Sequence, residues 1–188
     1  KNTLLLYEEF IKSKCYEIYD VSKIVQVIED ALDINIISDI EKNKITQDIK
    51  QWWLKNLKQW INGLSSDSDK KYIEQLFQTE KPNYFTQSEW DSIKNIANDK
   101  YLEIILYELS YSSKNDYEKI LRKENQKINF LSDDCCKKIK KYVEQLYCLS
   151  IMEDSLILSR KELVDKYDFT LLESNRITAI LKLIDKAH

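Results

Sequence analysis

Residues Ile49 to Leu64 read IKQWWLKNLKQWINGL, a stretch that holds three of the chain's four tryptophans and its only glycine. In and just before it, Ile45, Ile49, Trp52, Trp53, Leu57, Trp60, Ile61 and Leu64 recur at spacings of three and four. That period lines them along one side of an α-helix; a strand, with its period of two, would scatter them over both faces. The spacing predicts a helix from Thr46 onward, with Gly63 where a left-handed cap residue would end it. Trp52 and Trp53 are adjacent, hence about 100° apart on the helix, so the apolar stripe is wider than one neighbouring helix covers. Core packing among several helices is the first reading of this band, and an exposed Trp52 edge is the functional alternative.

The composition points the same way. One Gly and one Pro in 188 residues leave few of the tight turns that a strand-rich fold needs to reverse direction. Hydrophobic residues at 43% and charged residues at 32% are interleaved throughout, the pattern of a folded globular chain. The expected fold is all-α: a multi-helix, bundle-like domain of about seven to nine helices over residues 1–188. The loop around Pro82 offers a division into layers 1–81 and 84–188. The sequence starts KNTLLLYEEF with no initiator Met, which suggests a processed or excised part of a longer protein. That apolar run is too short for a signal peptide, and no stretch reaches the roughly 20 apolar residues of a membrane span.

Helix starts and stops complete the outline. Asn2 or Thr3 caps a first helix with Leu5, Leu6, Phe10 and Tyr16 as its stripe, running to about Tyr19. Asp20 or Ser22 opens a second, carrying Ile24, Val27, Ile28 and Leu32. A break near Asn35 in the β-branched INII precedes a short piece over SDIEKNK. Ser66 caps a helix with Tyr72, Ile73, Leu76 and Phe77 inward, and Pro82 stops it. Thr86 with Glu89, Ser159 with Glu162 and Thr170 with Glu173 have the capping-box spacing, in which each side chain satisfies an orphan backbone N–H of the first turn. The first opens a long helix through Trp90, Ile93, Ala97, Tyr101, Ile104, Ile105 and Leu109. A short helix follows around Tyr117, Ile120, Leu121 and Glu124. Another starts at Ser132 and extends through Ile139, Val143, Tyr147 and Ile151 toward Leu158.

Several chemistries are excluded by residue types. The single histidine, His188, ends the chain, so no internal base exists for a Ser–His or Cys–His nucleophile and no Glu-x-x-His pair for a di-iron bundle. One glycine forbids a P-loop or dinucleotide fingerprint. Glu29, Asp30 and Asp33 form an acidic cluster with some likeness to the aspartate-rich motif of helical magnesium enzymes, though a second such motif is missing. The expectation is a non-enzyme that needs no cofactor and no metal. Cys15, Cys135, Cys136 and Cys148 lack any CxxC spacing and read as reduced thiols, which suits a reducing, intracellular compartment such as the cytoplasm and leaves open export into a host cell. Cys135 and Cys136 also stand beside lysines that could make them reactive.

A formal net charge of −3 gives no general case for a nucleic-acid partner, so any such site is local. Two features could form one. Lys137, Lys138, Lys140 and Lys141 crowd around Ile139, and the segment from Ser159 to His188 has a helix-turn-helix outline with a turn at YDF and Glu173, Asn175 and Arg176 on its second helix. That segment carries nearly as many acids as bases and no glycine in the turn, so two packing helices explain it better. The 12 tyrosines include helix-neighbour pairs such as Tyr107 with Tyr111.

The abundance of Lys, Asn and Tyr is the stamp of an AT-rich genome. Lys/Asn/Tyr-rich helices with paired tryptophans, chiefly Ile49 to Leu64, resemble the exported helical PHIST (RESA-like) modules of apicomplexan parasites. The resemblance implies protein binding and assigns no role to any single residue. The expected function is therefore a protein-interaction or scaffolding domain that takes a partner peptide or helix in an aromatic-lined groove, anchored by Trp52, Trp60, Trp90, Tyr107 and Tyr111. The alternatives are nucleic-acid binding through Lys137, Lys138, Lys140, Lys141, Asn175 and Arg176, and a magnesium-dependent helical enzyme.

Overall fold

A computed structural model describes residues 2–15, 19–33, 38–122 and 131–187. Among them are nine α-helices, two short 3-10 turns and no strand, so the chain is all-α. Tyr16, Asn35 with the rest of 34–37, Glu124 and His188 lie outside the described residues. None of the described helices is long and apolar enough to cross a membrane. Packing divides the chain into two compact units, Lys1–Tyr101 and Leu102–His188, a boundary that falls inside a helix and not in the Pro82 loop.

The first unit contains α1 (Asn2–Lys14), α2 (Val21–Leu32), α3 (Asp39–Gly63), α4 (Lys70–Gln78) and most of α5 (Gln87–Leu109). Helix α1 packs on α2 and α3, and the Tyr7 hydroxyl donates to the Ala31 carbonyl. The stripe expected on α1 is the wrong one: Leu5, Leu6 and Phe10 are 58%, 65% and 53% exposed, while Ile11 and Cys15 are buried and Leu4 and Tyr7 half-buried. Both sets repeat at helical spacing, about one residue step of 100° apart, so the period alone could not choose between them. The helix also ends at Lys14, short of Tyr19.

Helix α2 starts where Asp20 accepts from the Lys23 N–H. Helix α3 begins at Asp39, so the piece over SDIEKNK is not separate from the tryptophan helix. The Ser38 side chain accepts from the Glu41 N–H, and Glu41 accepts from the Ser38 N–H at 2.9 Å. Thr46, the expected start, lies inside the helix and bonds the Lys42 carbonyl at 2.8 Å. Trp53, Ile49, Leu57 and Ile61 are fully buried. Gly63 is the last helical residue and has no positive φ, so it is not the left-handed cap that its position suggested.

Ser66 caps the 3-10 turn Asp67–Asp69, which leads into α4. Thr86 and Glu89 form their box at the start of α5, and Glu89 also pairs with the buried Lys50 of α3 at 2.9 Å. The bonds from Thr86, with Lys50 adding to them, hold the Glu89 carboxyl below the usual carboxylate range. Tyr101 on α5 donates to Glu74 on α4 at 2.8 Å.

The second unit holds the end of α5, α6 (Lys114–Arg122), α7 (Asp133–Asp154), α8 (Arg160–Lys166) and α9 (Ser174–Ala187). Helix α7, capped by Ser132, is its axis: α6 and α9 both pack on it, and Ile139, Val143, Tyr147 and Ile151 are its buried side. It stops at Asp154, and Leu156 and Ile157 lie exposed in the turn beyond. Ser159 and Glu162 form the expected box on α8. The box expected from Thr170 and Glu173 does not form, because other carboxylates take both of its donors. The Thr170 N–H goes to Asp168 at 3.1 Å, and the Glu173 N–H goes to Glu144 of α7 at 3.2 Å. Thr170 lies instead in the 3-10 turn Phe169–Leu171, and α9 starts at Ser174.

Buried hydroxyls tie this unit together. Tyr147 donates to Glu118 on α6 at 2.8 Å, and Tyr167 donates to Asp154 at 2.5 Å and to the Ser150 carbonyl at 3.0 Å. Burial, with these carboxylate acceptors adding to it, pushes both phenols well above the usual tyrosine value.

Candidate functional site

The four tryptophans have different fates. Trp53 and Trp90 are core residues at 0% and 1% exposure, packed on either side of the same partner: Phe85 lies 4.7 Å from the Trp53 ring and 6.0 Å from the Trp90 ring. Trp90 therefore cannot anchor a partner as the sequence suggested, because its stripe residue faces inward at the start of α5. Trp52 is half-buried near the middle of α3, where its carbonyl accepts from Asn56 at 2.7 Å. Trp60, also half-buried, joins two rings that sequence reasoning did not assign to it. Tyr19 stacks on it at 5.3 Å and Tyr72 meets it edge-on at 5.7 Å, while Tyr19 and Tyr72 are 5.0 Å apart.

Tyr19 also belongs to the rim of an open cleft of about 800 Å³ between the start of α2, the end of α4 and the Pro82 loop. Its apolar surface comes from Tyr19, Val21, Val25 and Pro82, and its amides from Gln75, Gln78 and Asn83. Two charged groups in the lining are turned to the backbone: Asp20 caps α2, and the Lys81 ammonium donates to the Phe85 carbonyl at 2.8 Å. With the exposed Glu80 as its further charged group, the cleft is a mixed surface of ring, aliphatic, carboxamide and carboxylate groups. Tyr107 and Tyr111 belong to the second unit, where they form an exposed edge-on pair at 5.2 Å.

The lysine patch divides in two. Lys137, Lys140 and Lys141 line a second cleft, of about 670 Å³, together with Leu121 of α6, Glu144 of α7, Leu171, Leu172 and Glu173, and Arg176 of α9. Lys138 points elsewhere and pairs with Asp134 at 2.7 Å. Arg176 is held by Glu144 at 3.5 Å, and Asn175 is exposed with its side-chain oxygen accepting from the Arg176 N–H. Cys136 and Cys148 are half-buried, Cys15 and Cys135 are buried, and all four are free thiols; burial raises Cys15 and Cys148.

Among the described residues no three His, Cys, Asp or Glu side chains gather as a metal site would require, Glu29, Asp30 and Asp33 included. Asp30 instead accepts from the Gln26 amide at 2.6 Å.

Fold and clefts together define a class: an all-α protein of two compact helical units, each with an open cleft rimmed by side chains from several elements. In comparison with known proteins, no family model matches the chain, and neither does any curated protein or any solved structure.

Proposed function

We propose that the chain is a protein-interaction module that takes an extended peptide segment of its partner in the cleft of the first unit. The observation that carries this reading is Tyr19, which lines the cleft while its ring stacks on Trp60 and packs at a tilt against Tyr72. A ring braced in this way offers apolar area without losing rotamer freedom on binding, which is why rigid aromatic residues act as anchors. Val21, Val25 and Pro82 would receive an aliphatic or proline side chain. The amides of Gln75, Gln78 and Asn83 each carry both a donor and an acceptor, the equipment that reads an extended backbone.

The test is a displayed peptide library selected on the wild-type chain, followed by titration of the recovered peptides against Tyr19→Ala, Trp60→Ala and Tyr107→Ala. The expected result is a micromolar binder weakened about tenfold or more by either of the first two changes, the usual loss for a hot-spot ring, and unaffected by the third. Recovered peptides that are indifferent to Tyr19 and Trp60 would overturn the reading.

A further inference from the structure

Lys137, Lys140, Lys141 and Glu144 are spaced by three, one and three along α7, which puts all four on one helix face. The first three are exposed ammonium groups, and among the described residues none has a carboxylate within ion-pair distance. Neighbouring like charges on a helix destabilise it. The fourth position changes the pattern. Glu144 is only 8% exposed; it accepts the Glu173 N–H at 3.2 Å and takes Arg176 Nε at 3.5 Å. The carboxylate thereby fixes an arginine of α9 beside the lysine face of α7, and these groups line the same cleft of about 670 Å³. Four cations line the cleft against two carboxylates, and both carboxylates are turned to the arginine, Glu144 at 3.5 Å and Glu173 at 4.0 Å, which leaves the three lysines facing the opening in a chain whose net charge is −3.

The geometry points to a binding site for a compact, multiply phosphorylated anion of the inositol-phosphate type, either free or as a lipid headgroup. Lysines act as mobile point charges toward phosphate, and a positioned guanidinium adds directed donors. Several phosphates on one small ring match cations that converge on one volume from two helices. Nucleic acid fits less well. It asks for cations spread along a track and, for single strands, for ring faces on which bases stack. Among the described residues the cleft's lining is aliphatic and charged, with Leu121, Leu171 and Leu172 as its apolar wall and no aromatic side chain. This site is independent of the peptide cleft, and neither reading depends on the other.

The experiment is calorimetric titration of the full chain with inositol hexakisphosphate at about 0.15 M salt, where distant surface charges are screened. Wild type is compared with the combined Lys137→Gln, Lys140→Gln and Lys141→Gln variant, with Lys140→Glu alone, and with Lys138→Gln. Gln and Lys have nearly the same helix propensity, and circular dichroism verifies that helicity is unchanged. The expected result is saturable one-to-one binding, weakened about tenfold or more by the triple change, weakened in the same direction by Lys140→Glu, and within about twofold of wild type for Lys138→Gln. Phosphatidylcholine vesicles carrying phosphatidylinositol bisphosphate form the second arm, with phosphatidylserine vesicles of equal charge as control. Selective sedimentation with the former assigns the lipid headgroup, and its absence alongside calorimetric binding assigns the free anion; both support the site. A duplex DNA oligonucleotide is the third arm. Tighter binding of DNA than of inositol hexakisphosphate, no binding of the latter, or an equal loss in Lys138→Gln would each overturn the inference.

Discussion

The Tyr147 hydroxyl donates to Glu118 Oε1 at 2.8 Å while its oxygen accepts the Asp168 N–H at 2.9 Å. One side chain of α7 thus holds α6 and the turn that precedes α9. Glu118 is further braced by Lys114 at 3.5 Å and Arg122 at 3.6 Å, and Arg122 reaches Asp168 at 2.8 Å. Tyr147→Phe keeps the ring contact with Tyr167 and removes only the hydroxyl, leaving the half-buried Glu118 carboxylate and the Asp168 N–H each one partner short. Losing one side of such bonds costs about 1–3 kcal/mol. Urea unfolding monitored by circular dichroism should show that loss, and a midpoint equal to wild type would remove Tyr147 as the tie.

Trp53 and Trp60 share a helix but not a task. Trp53 is completely buried against Phe85, so Trp53→Ala leaves a large cavity and should cost about 3–5 kcal/mol. Trp60 is half-buried between Tyr19 and Tyr72, and its removal takes away partial burial and two ring contacts, with an expected cost of about 1–2 kcal/mol. Denaturation midpoints of the two variants check this order. Equal losses would mean that Trp60 is as much core as Trp53, and would weaken its assignment as the brace of a binding ring.

Acid should loosen the second unit through Asp154. Its carboxylate accepts from Lys166 at 2.5 Å and from the Tyr167 hydroxyl, and these bonds hold it below the ordinary aspartate value. A carboxyl lowered on folding contributes stability that is present above its unfolded value of about 3.9 and is lost as pH falls through the lower folded value. Asp154→Asn should therefore be less stable than wild type at pH 7, with the difference closing below about pH 4. The group is partly exposed, so salt should shrink the effect. Unfolding midpoints at both pH values decide it; a constant difference across the range would assign the effect to packing.

What the sequence made legible was local. The three-and-four spacing of Trp53, Leu57 and Ile61, and the boxes at Thr86 and Ser159, each involve residues within two helical turns of one another, and these place α3, α5 and α8. Burial on α1 was not legible, because Leu5, Leu6 and Phe10 compete with Leu4, Tyr7 and Ile11 as equally apolar stripes and only the neighbours α2 and α3 select one. The clefts were half legible. Trp60 and the lysines stood out by type, but nothing local joins Trp60 to Tyr19 and Tyr72, or Lys137 to Arg176 by way of Glu144. Such contacts depend on helix packing.

Two serine or threonine positions with the same local spacing give the sharpest test of that distinction. Ser38 and Glu41 form a reciprocal box at the start of α3, satisfying two backbone donors, although the sequence reads here as a short separate piece after a break near Asn35. Thr170 and Glu173 have identical spacing and form none, since Asp168 and Glu144 supply the acceptors instead. Ser38→Ala should accordingly cost about 0.5–2 kcal/mol, the ordinary loss for an N-cap. Thr170→Ala removes only the exposed hydroxyl bond to Asp168 and should stay within about 0.5 kcal/mol of wild type. The Glu173 N–H depends on Glu144 and not on the Thr170 side chain, so Glu144→Gln should affect the start of α9 where Thr170→Ala does not. Amide hydrogen exchange at Glu173 reads this directly, and equal protection in the two variants would return the cap to Thr170.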